Sequence, residues 1–179
     1  MASKELHLAF YGYPDEMSAW AGVDAIKRAR DSKEVTIQDW ALIEKRSGGT
    51  VKIHDDRSAD PGALRGGAFG GAAGMVLAAA AGPVGLGAVA AGAAIGAITA
   101  GIHDSGMKGR DLKAVGSYMD GGRFGVMVAM PLEEAERWGT YAAAAKELAA
   151  SDRRHEADIV PGHTFEDALE EYRRHLEPT

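Results

Sequence analysis

Hydrophobic and polar positions alternate along Leu6–Tyr13, with Leu6, Leu8 and Phe10 on one side and His7, Ala9 and Tyr11 on the other, the period-two pattern of a strand. Pro14-Asp15-Glu16 then opens a helix with acid in its first turn. Met17, Trp20, Val23 and Ile26 recur at helical spacing until the basic end Lys27-Arg28-Ala29-Arg30. Residues 35–45 and 50–54 flank Ser47-Gly48-Gly49, the chemistry of a tight turn, and predict paired strands two and three. Later, Leu112 and Val115 mark a helix over 109–118. Gly121-Gly122 breaks it before an apolar run at 124–130, read as a fourth strand. Pro131-Leu132-Glu133-Glu134 starts a further helix to about Ala150, residues 157–160 read as a short strand, and Thr164 caps a last helix with Asp167 three residues on.

The order β-α-β-β, then an insertion, then α-β predicts an α+β fold, a ferredoxin-like split β-α-β sandwich with extra C-terminal helices. The predicted organisation is one α+β domain made of residues 1–60 and 104–179, interrupted by an inserted helical hairpin at 61–103. That insertion holds the strongest pattern in the chain. Between Arg65 and His103 lie 37 consecutive residues without a charge. Small residues recur there every fourth position, as Gly62, Gly66, Gly70, Gly74, Ala78 and Gly82, and again as Gly92, Gly96 and Ala100. Positions four apart share a helix face, and small side chains let two backbones approach closely, so these rows form a glycine zipper, an association surface.

Pro83, after Gly82, divides the stretch into two arms of about 16 to 18 residues, each about 24 to 27 Å long at 1.5 Å per residue. A hydrocarbon core is about 30 Å thick, so an arm could just span it without tilt. Phe69, Met75, Val76 and Leu77 in the first arm, and Val84, Leu86, Val89, Ile95, Ile98 and Ile102 in the second, favour insertion by about 1 to 4 kcal/mol per arm before the cost of the glycines. Burial of the glycine faces in an oligomer would tip that balance. Arg65 precedes the hairpin and Lys108, Arg110 and Lys113 follow it, which places both ends, and the α+β domain, on the cytoplasmic side. The alternative is a soluble, cytoplasmic closed oligomer with the hairpins packed in its core.

At 179 residues the chain is long enough for one genuine core. A net charge of −6 with no long basic stretch argues against nucleic acid as a partner. The absence of cysteine rules out a disulfide framework, a thiolate nucleophile and sulfur metal ligands. The first residues, Met1-Ala2-Ser3-Lys4-Glu5, lack the apolar region of a signal peptide, so a membrane contact is expected from the middle of the chain.

Catalytic motifs are weak. Gly85-Leu86-Gly87-Ala88-Val89-Ala90 has the outline of a dinucleotide turn but lacks a preceding strand and a following acid. The segment from Gly101 to Lys108 misses a P-loop because Met107 stands at the lysine position. His103, Asp104 and Ser105 are adjacent, so their side chains diverge rather than form a relay, and Asp104 or Ser105 reads as a helix cap. His54-Asp55-Asp56, with His7 as a third donor, could in principle ligate a metal, but a solvated turn is the simpler reading. Glu133, Glu134 and Glu136 with Arg137 read as a wet helix face, as do Glu166, Asp167, Glu170 and Glu171 with Arg173 and Arg174. No catalytic, cofactor or metal residues are assigned. The enzyme-like or ligand-binding alternative uses the outer face of the sheet, with His7, Tyr11 and Trp40 lining a small-molecule pocket. Trp20, Trp40 and Trp138 otherwise read as core or interface anchors.

Over about residues 6–170 the chain resembles the bacterial glycine-zipper proteins catalogued as domain of unknown function 1269. The resemblance rests on the β-α-β-β opening, the break Gly82-Pro83-Val84-Gly85, and the block Asp104-Ser105-Gly106-Met107, Leu112, Val115-Gly116, Met119 and Gly121 before Val126-Met127-Val128. Asp120-Gly121 stands where the family has Pro-Gly, and Phe124-Gly125 replaces a small Ser-Ala pair. The resemblance implies a predicted membrane protein, in some members linked with stress, and brings no catalytic residues. The combined expectation is a non-enzymatic homo-oligomer, without cofactor, joined through the zipper and associated with the inner membrane from the cytoplasm.

Overall fold

The computed structural model describes residues 6–46, 51–54, 109–119 and 123–159. The zipper positions from Gly62 to Ala100, Pro83 included, the segments around His103 and Asp55, and the Thr164 helix lie outside the described residues. The elements are β1 (Leu6–Tyr13), α1 (Glu16–Asp31), β2 (Asp39–Lys45), β3 (Val51–His54), α2 (Gly109–Tyr118), β4 (Phe124–Pro131), a 3-10 turn (Leu132–Glu134), α3 (Ala135–Ala144), α4 (Lys146–Ala149) and β5 (Arg153–Ile159). The fold is mixed α and β, and the five-stranded sheet of the described residues runs β3-β2-β4-β1-β5 with every neighbour antiparallel.

Local chemistry starts and stops α1. The Asp15 side chain caps it, accepting from the Ser18 backbone N–H at 2.8 Å, and Arg28 and Arg30 stand in the last turn. The helix turns Ala19, Gly22, Val23, Ala25, Ile26 and Ala29 to the sheet, and Met17, expected on the buried stripe, is 82 % exposed. Small residues win because they bring the helix axis close to β1. A Cβ on Gly22 would run into the Tyr13 ring.

Ala9, Tyr11 and Tyr13 of β1, Trp40 and Leu42 of β2, and Val126, Val128 and Met130 of β4 form the core with α1, Trp138 and Ala142 of α3, and Leu148 of α4. Both α1 and α3 therefore lie on one face. The Tyr141 hydroxyl ties them together by donating to the Ala25 carbonyl at 2.7 Å. The opposite face carries Leu6, Leu8, Phe10, Ala41, Ile43, Met127 and Ala129, all buried. There α2 reaches the sheet, with Tyr118 stacked 6.3 Å from Phe10.

Two expectations are corrected here. Strand β4, read from the sequence as the fourth strand, lies between β1 and β2, so its residues are buried on both faces and read as an unbroken apolar run. The helix that crosses back over the sheet beside α1 is α3, whereas α2 sits on the far face. The segment read as a short strand at 157–160 is the seven-residue β5, hidden in the sequence by the charges of a half-wet edge. Two smaller shifts concern β2, which starts at Asp39 rather than Val35, and the helix expected from Pro131 to about Ala150, which breaks at Ala145, where ψ is 110°.

Gly125 is the tightest position in the far layer, since a Cβ there would strike the Phe10 ring and come within 2.8 Å of the Met119 sulfur. Phe10 is held by its Tyr118 stack and has little room to yield. Gly125→Ala is expected to destabilise the fold by about 1 to 3 kcal/mol, read as a lower urea midpoint in tryptophan fluorescence.

Candidate functional site

The residues expected to line an outer-face pocket lie on the inner, helix-covered face. Tyr11 is fully buried and its hydroxyl accepts the Trp138 indole N–H at 2.9 Å, the rings meeting edge to face at 6.2 Å. Trp40 is buried in the same layer with the Lys27 ammonium 5.0 Å from its ring centroid. Both are core residues. Alternation marked the two faces of β1 correctly, but both faces are apolar and pattern alone does not say which one the helices cover. Burial pushes the Tyr11 and Tyr13 phenols far up, so each stays a protonated hydrogen-bond partner, Tyr13 donating to the Glu147 carbonyl at 2.9 Å.

His7 is different. It shares the face of Tyr11 but sits near the end of the strand, opposite Met130 on one side and Asp158 on the other. The residue is 6 % exposed. Its Nδ1–H donates to Asp158 Oδ1 at 2.7 Å, and its Nε2 stands 3.5 Å from Glu156 Oε2, an ion-pair distance too long for a well-formed hydrogen bond. With Nδ1 bound to Asp158, a neutral ring would point a lone pair at a second carboxylate. A second proton on Nε2 turns that repulsion into attraction. The carboxylate of Glu156, with Asp158, accordingly raises the His7 pKa above 6.5 despite burial, which acts the other way. His7 in return holds Glu156 below its ordinary value. The group clamps edge strand β5 onto β1, and sequence reasoning missed it because Glu156 and Asp158 lie about 150 residues downstream.

A second polar cluster sits at the other edge. His54 Nε2 lies 2.9 Å from Glu44 Oε2, Arg46 donates to Oε1 of the same carboxylate at 3.0 Å, and the Trp20 ring meets His54 edge-on at 6.0 Å. The hydrogen bonds from His54 and Arg46 hold Glu44 below the ordinary carboxylate range. His7 and His54 are separated by β2 and β4, so they do not share a ligand set. Among the described residues no group of three or more His, Asp or Glu is placed to hold a metal ion.

Glu134, expected on a wet helix face, is only 9 % exposed and accepts from the Thr36 hydroxyl at 3.1 Å. Beside it an open groove of about 910 Å³ runs between the end of α1 and α3, floored by Val35, Tyr141 and Ala145 and spanned by the Arg28–Glu147 ion pair at 2.6 Å. Its rim alternates acid and base, which gives it no single-sign field for a charged ligand.

The His7 clamp predicts the pH profile of stability. The raised His7 pKa contributes stability that is fully present below its ordinary 6.5 and is lost as pH rises through the folded value; the lowered Glu156 pKa contributes stability present above its ordinary 4.5 and lost on acidification. Both contributions are complete between those two values. His7→Gln is expected to cost about 1 to 3 kcal/mol at pH 6 and progressively less toward pH 9, measured as urea midpoints of the two proteins across pH. A constant difference would disprove the protonated clamp.

No protein-family model matches the chain, and comparison with curated proteins and with solved structures also returned no match.

Proposed function

We propose that the chain is a non-enzymatic homo-oligomeric assembly protein, joined through its glycine-zipper segment and associated with the inner membrane, its α+β unit lying in the cytoplasm. The observation that carries this reading is where the zipper interrupts the fold. Residues 55–108 lie between β3 and α2 in the sequence, and both of those elements are attached to one sheet. The segment must therefore depart and return on the same side, as two membrane-crossing arms or a packed hairpin would. The 37 uncharged residues, the small-residue rows and the basic flanks support a lipid environment for it. Among the described residues no helix is long and apolar enough to cross a membrane, so the zipper segment is the part of this sequence proposed to do so.

The ferredoxin-like assignment belongs with this proposal. Strands in the order β5-β1-β4-β2, with the crossover α1 passing from β1 to β2 over β4 and the crossover α3 from β4 to β5 over β1, support it, with β3 as an added edge strand. The likeness to glycine-zipper proteins of domain of unknown function 1269 supports the same picture, including a link with stress, and the role would be structural.

Two measurements test it. The chain expressed without detergent is expected to float with lipid and to resist salt and carbonate; a monodisperse, detergent-free oligomer without lipid would instead assign the zipper to the core of a soluble particle. Gly70→Leu with Gly74→Leu is expected to lower the oligomer mass by forcing the helices apart, and an unchanged mass would sink the zipper mechanism.

A further inference from the structure

Edge strand β5 is hydrogen-bonded to β1, and among the described residues no strand lies on its other side. Such an edge offers a row of backbone N–H and C=O groups to another strand. Its register sets Arg154, Glu156 and Asp158 beside Tyr11, Ala9 and His7, so these three exposed side chains share one face, basic at the start of the strand and acidic toward its end. Arg153, on the other face, is engaged over the Tyr118 ring at 5.8 Å and donates to the Ser117 carbonyl at 3.2 Å.

We infer that β5 is the surface through which the folded unit pairs with a second copy of itself, antiparallel and about a two-fold axis. The inference rests on the self-association proposed above and names the surface that the folded unit adds to the zipper. Antiparallel pairing brings the Arg154 end of each strand opposite the acidic end of its partner, whereas parallel pairing would set like charge against like. With the axis at Glu156, Arg154 meets Asp158 of the partner subunit twice, and the single like-charge meeting, Glu156 against its copy, is offset on each side by His7 3.5 Å away. Of the three groups, the two acids are already fixed, since His7 holds Asp158 at 2.7 Å and faces Glu156 at 3.5 Å. Two carboxylates beside one imidazole leave that end with a net negative charge even when His7 is protonated, and the partner's basic end would meet it. A strand of one sign along its length would repel its copy in either direction; β5 is divided by halves.

The chain has no cysteine, so single-cysteine variants report proximity without background. Arg154→Cys, Glu156→Cys and Asp158→Cys would be oxidised in the purified full-length protein, in the detergent or buffer in which it is isolated, with Met17→Cys on the exposed side of α1 as the control. Disulfide-linked dimers are expected to peak at Glu156→Cys, on the axis, and to fall away at Arg154→Cys and Asp158→Cys on either side. In a separate measurement Arg154→Glu, which leaves the His7 clamp intact, is expected to weaken association by about tenfold, as two opposite-charge contacts become like-charge ones. An oligomer whose β5 cysteines cross-link no better than Met17→Cys, and whose association is indifferent to Arg154→Glu, would overturn the β5 interface and leave zipper assembly standing. A wild-type chain that is monomeric at every concentration would overturn both.

Discussion

Strand β4 must be covered on both sides, and most of the architecture follows from that need. From Gly125 to Met130 every residue is buried, with Val126, Val128 and Met130 under α1 and α3 and Met127 and Ala129 on the far face. Such a strand cannot lie at an edge without leaving an apolar ribbon and a row of backbone groups in water. Placing it between β1 and β2 satisfies its backbone on both sides. The same placement obliges α1 to cross over it, from β1 to β2, and leaves the edge beside β1 to a strand that arrives later, β5. The small residues of α1 and Gly125 belong to the same solution, since they let a helix and a ring approach the sheet closely.

Polar groups within the layer are arranged so that few depend on a partner that can change. Tyr11, Tyr13 and Tyr141 each spend their hydroxyl on an indole N–H or a backbone carbonyl, groups that do not titrate. Burial raises all three phenols, which keeps them neutral and keeps these bonds constant with pH. His7 is the exception, a buried ring between two carboxylates on an edge strand. One side chain thus concentrates much of the pH sensitivity of the β1–β5 seam.

Elements dominated by one local signal were legible in the sequence. Strand β1 matches its alternation, α1 its cap and basic end, and α2 its boundaries, to within a residue or two. What failed was information that lies in three dimensions. Alternation separates Leu6, Leu8 and Phe10 from His7, Ala9 and Tyr11, but both sets are apolar enough to be buried, so Tyr11 and Trp40 were assigned to the wrong side. Strand β5 was mostly missed because Arg154, Glu156 and Asp158 carry the polarity of a loop, and their strand character depends on pairing with a β1 almost the whole chain away. The His7 clamp was illegible for the same reason. Glu134 looked solvated among its acidic neighbours, and its burial depends on Thr36, nearly a hundred residues earlier.

The place at which the zipper interrupts the fold has a mechanical logic. Strands β5, β1, β4 and β2 with α1 and α3 close a layered unit, while β3 pairs only at its edge and α2 packs on the far face of the sheet. In the sequence the uncharged segment lies between those two elements, one at the sheet edge and one on the far face. Loop-closure entropy grows only slowly with length, so a long insertion at such a point costs the core little. A load on the inserted segment would reach β3 and α2 before it reached Tyr11, Trp138 or the buried run of β4.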